Sequence, residues 1–165
     1  MISFFKNHYA KIGWIITILN LLAIINSTRF FLYDLEFPVP AWLFFNACAP
    51  SVLIFVIGFV FRNRAIMAAS LPFLFFFGGL GLFTFSWSNG AVIAQIGHLL
   101  MVIALIYTVI IISMEKIWKK SAPGLIIGIV LFALVLPFQQ KYVKGHPEYI
   151  KKLGDPAFEE MMKNK

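Results

Sequence analysis

Gln95 and His98 stand in the stretch AQIGHLLMVIAL, residues 94–105, inside a run that is otherwise almost wholly apolar. An amide and an imidazole three positions apart share one face of a helix. Such a pair can bond to neighbouring helices, or it can hold a ligand with the imidazole as donor, acceptor or proton switch. Asn20, Asn26, Asn46, Thr84 and Ser86 are further polar groups set within apolar runs, beside the smaller hydroxyls of Thr17, Ser70, Thr108 and Ser113, and Arg29 lies near the end of the first run. Asn26, Arg29, Asn46, Gln95 and His98 form the candidate ligand-binding set. Polar groups in hydrocarbon turn toward a bundle interior, where each interhelical bond is worth about 0.6 kcal/mol and at most about 2 kcal/mol. Packing is therefore the first account of this set, and a ligand site is the sharper one.

Other chemistries find little support. No acidic residue lies inside an apolar run; Asp34, Glu36 and Glu115 sit at the edges. No Gly-x-Ser-x-Gly, HExxH, phosphate loop or carboxylate dyad is present. His8 and His146 lie outside the runs, so a buried haem lacks a second axial histidine at the depth of His98. No cluster has metal-ligand spacing. Cys48 is alone, which excludes an internal disulfide, and a solitary cysteine in an apolar run behaves as a small hydrophobe. The expectation is a non-enzyme without a cofactor or metal.

The elements that position these groups follow from composition. Of 165 residues, 61% are hydrophobic and 13% charged, whereas soluble domains carry roughly a quarter charged residues. A soluble fold of this size has too much surface to hide that apolar content. The expected partner of most of the chain is thus a lipid bilayer. The 19 phenylalanines fit lipid-facing surface. The net charge of +7 comes from short flanks beside the runs, where membrane topology and anionic headgroups place it. No basic stripe carries interleaved aromatics, so nucleic acid is not an expected partner.

A crossing needs about 20 mainly apolar residues. Five runs approach that length: residues 12–32, 41–61, 65–87, 91–114 and 122–138. Alternating strand patterning is absent, which excludes a membrane barrel. The fold class expected is an all-α integral membrane protein, an antiparallel bundle of five transmembrane helices with a short two-helix tail over 139–165. Lys6 and Lys11 before the first run resemble a secretory signal, but the run is long and no cleavage pattern follows, so it reads as a retained span. With the N-terminus inside, seven cations lie on each side, the outer seven being Arg29 and six tail lysines. A re-entrant fifth run would bring all but Arg29 inside. That run is about 25 Å long at the helical rise, and Pro123 and Pro137 bracket it. Five spans, a cytoplasmic N-terminus and a plasma (inner) membrane location remain the expectation. On that arrangement every polar group in the set except Asn20 falls in the outer half of the bilayer.

Small residues four apart let helices approach closely. Gly124 and Gly128 have this spacing, as do Ala65 and Ala69. Pro72 and Gly78, Gly79 and Gly81 interrupt the third run, and they read as packing features because no second repeat carries a matching break. In the tail, Pro147 starts one short helix that Gly154 ends, and Asp155 with Pro156 starts another. Tyr149, Phe158, Met161 and Met162 are its apolar contacts. Helices this short must dock on their own bundle, on headgroups or on another subunit. Gly124, Gly128, Tyr149, Phe158, Met161 and Met162 are the candidate docking residues. Two functions follow: a non-catalytic small subunit of a larger membrane complex, or a small-molecule or lipid-binding transport component with an outer polar pocket.

Overall fold

A backbone crossing lipid must satisfy its own N–H and C=O groups, and a helix does so locally. The computed structural model describes residues 2–84 and 92–153, with side chains over 8–83 and 92–153, and among these residues every regular element is helical. Helix α1 spans Ile2–Arg29 and continues through a widened turn at Phe30–Asp34. Helix α2 spans Val39–Phe45 and α3 spans Cys48–Val60. Helix α4, Arg64–Phe73, runs through a second widened segment, Leu74–Gly79, into α5 at Leu80–Thr84. Helices α6, Val92–Met114, α7, Trp118–Gly145, and α8, Pro147–Leu153, complete the chain. Four helical stretches are long and apolar enough to cross a membrane, and there is a fifth if the bent α2–α3 pair is one broken span and not a re-entrant loop.

The second apolar run is not one straight helix. Helices α2 and α3 meet at 78°. Pro50 supplies the reason, because its nitrogen carries no hydrogen for the carbonyl of Asn46. That carbonyl accepts instead from the Ala49 N–H at 3.0 Å, and a new helix begins. Helix α3 alone, at 13 residues, is about 20 Å long, shorter than the hydrocarbon thickness of about 30 Å.

The fifth run behaves in the opposite way. Its shortness suggested a re-entrant segment, but α7 is continuous over 28 residues and contains both Pro123 and Pro137. The apolar run ends at Phe138, whereas the helix ends only where Gly145 and Pro147 stop it. Part of the expected tail is therefore the last turns of α7. One tail helix, α8, begins at Pro147 as its proline implies; Phe158, Met161 and Met162 lie outside the described residues.

Two tight turns share one design. Arg62 and Lys116 both adopt left-handed backbone, with φ of 52° and 53°. Beyond them, the Asn63 N–H reaches back to the Gly58 carbonyl at 2.8 Å, and the Ile117 N–H to the Ile112 carbonyl at 3.2 Å. These are Schellman closures with a cation where glycine is commoner, beside the negative end of a helix dipole. The side chain of Asn63 then caps α4 by accepting from the N–H groups of Ala65 and Ile66.

Contacts define two ends of the bundle. At one, the Tyr107 hydroxyl donates to the Tyr9 carbonyl at 3.0 Å, and Arg64 forks onto Glu115. At the other, Tyr149 of α8 packs on Phe37 at 4.6 Å, and Lys152 donates to the Leu35 carbonyl at 3.0 Å. The core between them gathers Phe55, Met67, Leu74, Met101 and Ile111. Helix α7 joins through a seam of small residues. A methyl group at Gly124 would strike the carbonyl of Ala65, and one at Gly128 that of Ala69. The two small-residue spacings in the sequence thus interlock inside one chain, and the glycine face is covered by α4 instead of being open to a partner.

Candidate functional site

The polar layer is built on the inward stripe of α6, where Gln95, His98, Met101, Ala104 and Thr108 are all buried. Gln95 is fully buried and His98 is 7% exposed. The Gln95 Oε1 lies 3.3 Å from His98 Nδ1, and Cys48 Sγ lies 3.4 Å from His98 Nε2. An amide oxygen only accepts, so Nδ1 carries the hydrogen and Nε2 offers its lone pair to the thiol. The result is a chain from Cys48 S–H to imidazole to amide. The N···O distance is at the long end for a hydrogen bond, while the contact to sulfur is of ordinary length. Charge separation in an apolar core is expensive, which keeps this chain a neutral one.

Two backbone interruptions bring the partners together. Cys48 stands at the first position of α3, just past the bend that Pro50 imposes. Gly81 follows the widened segment of the α4–α5 stretch, and any Cβ there would lie about 2.5 Å from the His98 ring carbon Cδ2. The imidazole therefore packs directly on backbone. Nothing in the spacing of Cys48 and His98, fifty positions apart, announces their meeting. Cys48, by sequence a small hydrophobe, also meets the imidazole.

Other members of the predicted set divide. Asn46 is buried and its Nδ2 donates to the Ser27 hydroxyl at 3.1 Å; Ser27 in turn donates to the Ile24 carbonyl. Asn26 and Arg29 are exposed on the outer side of α1. They do not join the layer, because one position along a helix rotates a side chain by about 100° and it is Ser27 that faces inward. Asn20, set apart by depth, is 1% exposed and ties α1 to α6 through the Leu100 carbonyl at 3.4 Å. Gln139 reaches from α7 to the Phe44 carbonyl at 3.1 Å, while Gln140 is exposed. Ser86 and the side chain of Thr84 lie outside the described residues.

The layer is flanked by an aromatic cap at the α8 end. Tyr142 stacks on Phe44 at 4.5 Å and on the His146 ring at 4.1 Å, and Tyr149 lies 5.7 Å from Phe45. Tyr149, a candidate for docking, is thereby placed on its own bundle. Among the described residues no three His, Cys, Asp or Glu converge as metal ligands; Cys48 and His98 present two donors. The arrangement can hold helices in register. Compared with known proteins, the chain matches no family model, no curated protein and no solved structure.

Proposed function

We propose that this chain is a non-catalytic, five-span subunit of a larger complex in the plasma (inner) membrane, with its N-terminus cytoplasmic. The carrying observation is the poor coverage of α7. Only 17% of its most apolar window is buried, the same share as in α1, against 44% for the α4–α5 stretch and 39% for α6. Its seam at Gly124 and Gly128 occupies one side, and Ile126, Ile127, Val130 and Leu134 face outward, each more than half exposed. Apolar helices of another subunit fit this ladder by shape and dispersion, the forces that associate helices in lipid. The polar layer, in contrast, is turned inward and engaged with its own chain.

Solubilised in digitonin, the chain should migrate with a stoichiometric partner, and a photo-crosslinker at Val130 should capture that same polypeptide. A solitary monomer giving only lipid adducts would refute the reading. Orientation is read separately in a Cys48→Ala background. Lys144→Cys should react with an impermeant maleimide on intact cells, and Lys119→Cys only after permeabilisation; the reverse pattern would invert the topology.

A second reading has its own support: the bend before Cys48 and the widened turn before Gly81 both abut His98, and such breaks in spanning helices recur at binding sites. On this reading the layer serves a small-molecule or lipid-binding transport component. His98→Ala should then abolish binding or transport with expression intact, whereas lost expression alone would mark the layer as a helix tie.

A further inference from the structure

The end of the bundle where α3 turns into α4 carries a cleft that the polar layer does not use. It encloses about 190 Å³ between Tyr9 and Trp14 of α1 and Phe59 and Val60 of α3, with Arg62 and Arg64 at the rim. We propose that this cleft binds an anionic glycerophospholipid, with Arg62 holding the phosphate and the Trp14–Phe59–Val60 wall lying along the first carbons of the acyl chains.

The two arginines are not equivalent. Arg64 donates from Nε to Glu115 Oε2 at 3.0 Å and from Nη2 to Oε1 at 2.8 Å, so its charge is matched. Arg62 is exposed and makes no ion pair among the described residues. Its guanidinium springs from the Schellman turn, whose backbone bonds and Asn63 cap hold the loop firmly. A planar fork on a rigid turn suits the paired oxygens of a phosphate. Lys120 is not at this rim; it lines a neighbouring, more open groove that shares Arg62 and Arg64.

The walls decide which phosphate. Trp14 is half exposed and meets Phe59 edge-on at 5.3 Å, while Val60 and Phe61 are 46% and 74% exposed. A free anion gains nothing from this surface, but an amphiphile buries its chains along it. Aromatic residues beside cations at a span's end also mark the level at which headgroups lie.

The test uses the purified full chain in dodecyl maltoside, its thermal unfolding followed by a dye that reacts with Cys48 as it is exposed. Ligands that bind only the folded state raise the unfolding temperature. Dioleoylphosphatidylglycerol should raise it, while dioleoylphosphatidylcholine and inorganic phosphate should not. Arg62→Asn removes the charge yet suits left-handed backbone, and it should need about tenfold more phosphatidylglycerol for the same shift, as loss of a charged hydrogen bond implies. Lys119→Gln, an equal charge loss away from the cleft, should respond like wild type. Trp14→Ala should also weaken the response, which tests the site from its apolar side if the Arg62 variant does not fold. An unchanged response in either cleft variant, or an equal shift with phosphatidylcholine, would overturn the proposal. A comparable shift with inorganic phosphate alone would overturn the lipid assignment.

Discussion

Replacing Gly124 by alanine probes the seam on which the attachment of α7 depends. The added Cβ would lie 2.5 Å from the Ala65 carbonyl carbon and 2.8 Å from its Cα, and closer still to its oxygen. Carbon atoms sit comfortably at about 3.5–4 Å, so α7 must withdraw from α4 by about 1 Å. The obstacle is backbone, which no rotamer change can clear. A gap of that size forfeits about a quarter to a half of the dispersion energy of the contacts it opens. Overpacking of this kind costs about 1–3 kcal/mol, and the backbone contact puts Gly124→Ala in the upper part of that range. With about 2–4 °C lost per kcal/mol for a chain of this size, unfolding should come about 5–10 °C earlier, read through the exposure of Cys48 to a thiol dye. Two controls separate packing from helix propensity. Gly97→Ala, which meets nothing within 4 Å, should be neutral or stabilising by up to about 1 kcal/mol. Ala65→Gly should fail to rescue Gly124→Ala, because the clash is with main chain and not with the Ala65 methyl. If Gly124→Ala proved as harmless as Gly97→Ala, the intimate α4–α7 seam would be wrong.

Asn20→Leu removes the tie to the Leu100 carbonyl and should cost about 0.6–1.7 kcal/mol; equal or greater stability on unfolding in dodecyl maltoside would show that the bond does not hold α1. The Arg64–Glu115 fork links the α3–α4 and α6–α7 turns with side chains 17% and 32% exposed. A double-mutant cycle on Arg64→Gln and Glu115→Gln should return a coupling of about 0.2–1 kcal/mol after allowance for solvent screening, weakening with salt, and a coupling near zero would show that the fork adds nothing.

Composition and run length by themselves determined that the chain forms helices long and apolar enough to cross a membrane, because a backbone of this apolarity must satisfy its own hydrogen bonds where water is excluded. The spacings of Gly124 with Gly128 and of Ala65 with Ala69 offered faces on which helices can come close, and the fold brings the two faces together. Local signals for the other breaks were present too: Pro50 dictates the bend before α3, although the apolar run around it reads as continuous. Rotation was a different matter. In lipid the outward and inward faces of a helix are equally apolar, so no amphipathic stripe tells Asn26 from Ser27; the tertiary contacts turned Ser27 and Asn20 inward and left Asn26 and Arg29 outside. The meeting of Cys48, His98 and Gln95 was likewise decided only by the fold. It requires the bend of one helix, the widened turn of another and a bare Gly81 backbone to coincide at one depth, and no local property of any of the three encodes that coincidence.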